Sequence, residues 1–302
     1  MSELADLFPG FAAHHVDTQA GRLFLRQGGQ GSPLLLLHGF PQSHVMWHKM
    51  AARLAEQHTL IIADLPGYGW SAAPSGGENH MPYTKRAMAA LLVEAMEKMG
   101  HARFSLMGHD RGARAGYRLA MDHPGRVERL VVLDIVPTHA MWHRMDRARA
   151  LQAYHWSFLA QPRPLPEKLI AADPIWYLEW TLASWSGTRN LKPFDPRTLA
   201  HYRAAFNSPD RLHAMCEDYR AGATQDLGHD EADIAAGRIL LCPTLAVWGE
   251  SGIPSRSGDP LDAWRALSPG ITGQSVPAGH FLCEEAPDAV VDAVLPFLKQ
   301  QD

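Results

Sequence analysis

Residues 104–120, FSLMGHDRGARAGYRLA, run from an apolar stretch through a glycine-flanked aspartate into a helical repeat. Phe104 to Met107 reads as a strand and Arg111 to Met121 as a helix, so Gly108-His109-Asp110-Arg111-Gly112 is the turn between them. Small residues two positions before and after Asp110 are what a tight strand-to-helix elbow requires if its central side chain is to be exposed under strain. Such an elbow ordinarily presents a serine. Here it presents a carboxylate.

Taken alone, an aspartate between strand and helix is often an N-cap. The catalytic reading gains weight because an acid and a histidine follow in the chain order of this architecture. His280, in Pro277-Ala278-Gly279-His280-Phe281, falls between the last expected strand and the last helix, where a general base belongs. In a chain with 17 histidines, position rather than residue type carries that inference. The orienting carboxylate commonly follows the next-to-last strand in a Trp-Gly-Glu-x-Asp turn, but the corresponding stretch is Trp248-Gly249-Glu250-Ser251-Gly252. Glycine replaces the acid. One strand earlier, Leu130-Val131-Val132-Leu133-Asp134 ends in a carboxylate, so Asp134 is the expected acid, with Glu250 and Asp259 in reserve. His38-Gly39-Phe40-Pro41 follows another strand, and the N–H groups of Phe40 and Arg111 are the expected oxyanion hole.

Working outward, short apolar runs bounded by turn residues suggest strands at Arg22 to Gln27, Pro33 to Leu37, Thr59 to Asp64, Val127 to Leu133, Thr244 to Val247 and Thr272 to Val276. Helical repeats cover Tyr83 to Met99 and Pro287 to Leu298. This alternation predicts an α/β fold: a mostly parallel central sheet flanked by helices, with ligands beyond the carboxyl ends of its strands. The alternation stops near Pro137 and resumes near Leu240, and five of the nine tryptophans fall in between. A helical cap over residues 137–239, inserted into a core of 1–136 and 240–302, is expected.

The 302 residues are 46% hydrophobic and carry a formal charge of -4 without a basic run, which favours a small-molecule partner over nucleic acid or an anionic membrane. No stretch approaches the roughly 20 apolar residues of a membrane span, and MSELADLFPGF lacks the form of a secretory signal, so a cytoplasmic protein is expected. Cys216, Cys242 and Cys283 are odd in number and widely separated, which suggests packing residues rather than disulfides. The stretch Leu227 to Glu231 matches no metal-ligand spacing and reads as a solvated loop, while Tyr68 reads as a turn-shaping residue.

Over nearly its whole length the sequence resembles the α/β-hydrolase superfamily, and the aspartate elbow resembles the branch of haloalkane dehalogenases, epoxide hydrolases and fluoroacetate dehalogenases. Within that branch, Gly108-His109-Asp110-Arg111-Gly112-Ala113-Arg114, the pair His155-Trp156, and Tyr219 are similar to the fluoroacetate dehalogenases. The resemblance implies hydrolysis of a 2-haloacetate without metal or organic cofactor, in a homodimer. It also implies halide binding by His155, Trp156 and Tyr219, with Trp185 as a further cavity residue.

The chemistry agrees with the residue types. A carboxylate that displaces a leaving group from saturated carbon becomes an ester, which water can open with His280 as base; a serine would become an inert ether. Arg111 and Arg114, three apart beside a helix N-terminus, suit a substrate carboxylate. An epoxide hydrolase would use the same nucleophile with lid tyrosines such as Tyr154 and Tyr219, but would not need two arginines. A haloalkane dehalogenase would need an apolar pocket, and a receptor without turnover would not need the full catalytic set.

Overall fold

Eight strands form one sheet in the order β1-β2-β4-β3-β5-β6-β7-β8: β1 (Ala12–Thr18), β2 (Gly21–Gly29), β3 (Ser32–Leu37), β4 (His58–Ala63), β5 (Phe104–His109), β6 (Val127–Leu133), β7 (Thr244–Gly249) and β8 (Thr272–Val276). The computed structural model describes residues 4–19, 21–255 and 258–299. β1 and β2 pair antiparallel, as do β2 and β4, and every pairing from β4 through β3 to β8 is parallel. Parallel central strands are covered on both faces, so they read as unbroken apolar runs; Leu34 to Leu37 and Leu60 to Ala63 are fully buried. The seven strands expected from such runs are present. β1 was not expected, because an edge strand with one neighbour and partly exposed faces, AAHHVDT, has no apolar run to betray it.

Three helices precede the end of β6: α1 (His48–Ala55), α2 (Lys85–Lys98) and α3 (Arg111–Asp122). α2 begins two residues later than the apolar repeat suggests, because Thr84 caps it, accepting from Ala87 N–H at 3.1 Å, and Tyr83 belongs to the 3-10 turn before. Between β6 and β7 come α4 (Thr138–His143), α5 (Arg147–Gln152), α6 (Tyr154–Leu159), α7 (Leu165–Ala171), α8 (Pro174–Trp185), α9 (Pro196–Phe206), α10 (Pro209–Ala223) and α11 (Gln225–Ala235). α12 (Leu282–Glu285) and α13 (Pro287–Lys299) follow β8. None of the described helices is long and apolar enough to cross a membrane.

One reading changes. Leu227 to Glu231 lies in α11 rather than a loop, where buried Asp230 accepts from Tyr117 Oη at 2.8 Å and Arg118 Nη2 at 2.9 Å. Tyr68 is fully buried and donates its hydroxyl to Asp218 at 2.8 Å, tying the turn after β4 to α10. The segment was read as a solvated loop because its partners lie far away in sequence, and Tyr68 sits in the expected turn with a partner that the sequence does not name.

Sheet order matters most at its carboxyl edge. β3 connects to β4 on one side and its neighbour β5 connects to β6 on the other, so the connections from these adjacent strands leave in opposite directions and open a crevice there. Phe40 follows β3, Asp110 follows β5, Asp134 follows β6 and His280 follows β8, all at this edge.

Candidate active site

Asp110 sits at φ 47°, ψ -116°, left-handed backbone that a residue with a Cβ holds at a cost of order 1–3 kcal/mol. Its side chain caps nothing, so the N-cap alternative fails. The turn is feasible because of close approaches: a Cβ on Gly112 would stand 2.3 Å from the His38 carbonyl oxygen. The elbow therefore presses against the end of β3, and Asp110 Oδ1 accepts from Phe40 N–H at 3.0 Å. Arg111 N–H, expected as a second donor, makes no hydrogen bond to that oxygen among the described residues. Its position in the first helical turn points it along the α3 axis.

The other oxygen faces His280. Asp110 Oδ2 lies 4.0 Å from His280 Nε2, too far for a direct hydrogen bond, and His280 Nδ1 pairs with Asp134 Oδ2 at 2.7 Å. Asp134 Oδ1 accepts from Gly249 N–H at 2.9 Å. The glycine at position 252 now has a physical account, since a Cβ there would stand 2.2 Å from Asp134 Oδ1. A side chain at 252 and the Asp134 carboxylate compete for one space. Glu250 is exposed, and exposed Asp259 caps a short 3-10 turn through Leu261 N–H, so neither reserve acid reaches His280.

Burial alone would push the Asp110 carboxyl up, but His280 and the two arginines outweigh it and hold it below the usual aspartate range. It is anionic at neutral pH. Burial would push His280 down, but its bond to Asp134 and the charges of Asp134 and Asp110 raise it above the ordinary imidazole value. At Asp134 burial dominates, and its pKa is raised. Burial drives His155 and His109 down to about 3, so both rings are neutral.

The arginines depart from the simple fork. Arg111 donates from Nε to Asp218 Oδ2 at 3.0 Å, and from Nη2 to Asp218 Oδ1 at 2.7 Å and the Asp218 carbonyl at 2.6 Å, which leaves Nη1. Asp218 in turn meets the Lys85 ammonium. Arg114 Nη1 donates to the Val136 carbonyl at 3.0 Å and Thr138 Oγ1 at 3.1 Å, and its guanidinium lies 4.5 Å from the Trp156 ring centroid. A two-headed clasp by both arginines is thus reduced to the groups still free. Among the described residues, Arg111 Nη1, Arg114 Nε, His155 Nδ1 and Tyr219 Oη are buried polar atoms without a partner. Groups of this kind are costly to leave unmatched and point to a ligand that completes them.

His155, Trp156, Tyr219 and Trp185 all face this edge. Phe40 lies 5.3 Å from Tyr219 and 6.0 Å from Trp185 by ring centroid, and Trp185 lies 4.1 Å from His155 and 5.5 Å from His280. Tyr154 differs: its hydroxyl pairs with Tyr177 at 3.4 Å. An inner cavity of about 20 Å³ touches Asp110, Arg114, Asp134, His155, Trp156 and His280. An outer cavity of about 700 Å³, lined by Tyr154, Trp180, Trp185, Gly252 and His280 among others, opens beside it.

Sequence reasoning missed Asp218 and Lys85. Both lie in segments where a charged residue ordinarily marks a solvated helix face, and only packing buries them. It also missed His109, whose Nε2–H donates to the His280 carbonyl at 2.8 Å. Its place inside the elbow was a signal, but nothing in the chain says which loop packs above it.

Residues 32–287 match the family described as alpha/beta hydrolase fold. The chain is 41% identical over 292 residues to a fluoroacetate dehalogenase of a Burkholderia species, covering 97% of this chain and 95% of that protein. It is 30% identical over 286 residues to a soluble epoxide hydrolase of Corynebacterium sp. (strain C12), covering 94% and 96%. A crystal structure from Nostoc sp PCC 7120 superposes with a TM-score of 0.93 at 48% identity, covering 96% of this chain and 99% of that one. Fold, elbow and relatives agree, and the chain belongs to the alpha/beta hydrolase fold family and is a hydrolase.

Proposed function

We propose that the protein hydrolyses fluoroacetate, and 2-haloacetates generally, to glycolate and halide through an ester on Asp110. The observation that carries this reading is an anionic Asp110 ringed by buried donors without partners: Arg111 Nη1, Arg114 Nε, His155 Nδ1 and Tyr219 Oη. Arg111 and Arg114 hold the substrate carboxylate, offsetting the approach of one anion to another; a hydrogen bond to a charged group contributes roughly 1.5–3 kcal/mol. Asp110 Oδ2, the oxygen not held by Phe40 N–H, displaces halide in line from C2. Oδ1 in the Phe40 hole becomes the ester carbonyl oxygen.

His155, Trp156 and Tyr219 donate to the departing halide, which helps to the extent that those bonds strengthen in the transition state. His280 then takes a proton from water as the water attacks the Asp110 carbonyl carbon. Asp134 holds the imidazole in the tautomer that leaves Nε2 able to accept. Neither a metal nor an organic cofactor enters these steps. Residues 137–239 act as the lid over a core of 1–136 and 240–302. The inner cavity has room for about one water, so a two-carbon acid enters from the outer cavity when the aromatic wall parts.

The 41% identical fluoroacetate dehalogenase supports this reading, while the 30% identical epoxide hydrolase favours the alternative. Against an epoxide stand the two buried arginines and the Tyr154 hydroxyl, which faces Tyr177 rather than Asp110. Fluoride release from fluoroacetate by wild type but not Asp110→Ala supports the proposal. Diol from styrene oxide without fluoride release would replace it by the epoxide reading. A cytoplasmic location goes with the reading, which three free cysteines suit. A homodimer formed through the cap is also part of it, supported by Trp176, Trp180 and Leu169, which are 60%, 43% and 58% exposed. Sedimentation of the wild type and of Trp176→Lys/Trp180→Lys tests that pairing.

A further inference from the structure

Glu285 ends α12, and its carboxylate serves two segments far apart in sequence. Oε2 accepts from Gly187 N–H at 2.8 Å and Gly279 N–H at 3.0 Å, and Oε1 accepts from Phe281 N–H at 3.1 Å. Gly279 and Phe281 bracket His280. Gly187 belongs to the turn that follows α8 and Trp185.

The two segments also touch directly. His280 N–H donates to the Trp185 carbonyl at 3.0 Å, and a Cβ on Gly279 would stand 2.2 Å from Gly187 N. Backbone contact this close leaves no room for either segment to shift alone. Asp134 fixes the tautomer and ring direction of His280 through Nδ1, but a bond to the ring does not hold the loop that carries it. Glu285 contributes to that beside the His109 bond to the His280 carbonyl and the His280 N–H bond to Trp185, through charge-assisted bonds to backbone N–H groups on either side of the histidine.

We propose that Glu285 is a positioning residue for ester hydrolysis: it fastens the His280 loop to the cap turn at Trp185 and so holds Nε2 on the line of the attacking water. This rests on the Asp110 ester proposed above. Displacement of halide forms the Oδ2–C2 bond and expels the halide with its electron pair without using His280. Hydrolysis forms a bond from water to the Asp110 carbonyl carbon as one proton passes to His280, then breaks the acyl–oxygen bond as His280 returns that proton to the departing glycolate oxygen, and the regenerated Asp110 carboxyl loses the remaining proton to solvent. Glu285 therefore acts on the second step alone.

The test is rapid-quench reaction of wild type, Glu285→Ala, Glu285→Gln and His280→Gln with chloroacetate, following chloride release and the mass of the peptide containing Asp110. Glu285→Ala is expected to release one equivalent of chloride at near the wild-type rate, accumulate carboxymethyl ester, and turn over on the order of 10²-fold more slowly. Glu285→Gln, which keeps one carbonyl acceptor, should recover part of that loss. Unchanged turnover in Glu285→Ala overturns the proposal, as does loss of both steps together without ester. His280→Gln separates this from the underlying mechanism. Ester in His280→Gln but not in Glu285→Ala rejects the role of Glu285 alone, whereas ester in neither rejects the ester mechanism and this proposal with it.

Discussion

At the level of single side chains, the pair His280–Asp134 sets how activity depends on pH. Its bond to Asp134 and the nearby negative charges raise the His280 pKa, and a protonated ring cannot take a proton from water. Turnover should therefore fall as pH drops through the His280 midpoint, which the ester lowers by removing the Asp110 charge while the Asp134 bond remains. Halide release in a single turnover should hold to lower pH, because Asp110 stays ionised. A pH profile of both rates checks this, and turnover that holds to as low a pH as halide release does would contradict it. Gly252 supplies a second prediction. Gly252→Asp alone should cut turnover, since its Cβ would crowd Asp134 Oδ1, whereas Gly252→Asp combined with Asp134→Gly should recover part of it by moving the acid into the same space. A double variant no better than Asp134→Gly would show that the direction of approach matters, and not merely the place.

Secondary-structure elements meet their constraints at the elbow and at the caps. Gly112→Ala would drive a methyl group to 2.3 Å from the His38 backbone carbonyl just past β3, which cannot swing aside as a side chain can. The expected loss is about 3 kcal/mol in urea unfolding, at the upper end for overpacking. Thr84→Ala removes the N-cap of α2 and should cost about 1 kcal/mol with turnover unchanged. Comparing the two by denaturation and fluoride release separates a constraint on the site from one on the scaffold. The elbow glycine and the helix were readable from the sequence, the helix start to within two residues, whereas the Thr84 cap and the carbonyl against which Gly112 packs were not.

Across the whole molecule, buried charge joins the helices that flank β5 to helices that lie between β6 and β7. Lys85 of α2 and Arg111 of α3 meet Asp218 of α10, and Arg118 of α3 meets Asp230 and Asp233 of α11. Asp218→Ala would leave two cations buried without their shared anion and should destabilise by about 3–5 kcal/mol. It should also raise KM for a haloacetate, since Arg111 would lose its orientation. Burial pushes Asp218 up, but Arg111 and Lys85 pull it well below the usual aspartate range. Its stabilisation is thus complete above the ordinary carboxylate value and is lost as pH falls through the depressed one. Acid unfolding of wild type and Asp218→Asn, compared over that window, checks the sign.

What the sequence alone determined was the α/β architecture, the elbow with Asp110 at its centre, and the order in which nucleophile, acid and base arrive. These depend on periodicity and on turn chemistry, which act over a few residues. The tertiary structure alone decided that a side chain at 252 would compete with the Asp134 carboxylate, that Asp218 takes up most of the Arg111 fork, and that Glu285 bonds to the His280 loop. Those pairings join residues far apart in the chain, and a carboxylate there reads like any solvated one until packing excludes water and leaves it a single partner.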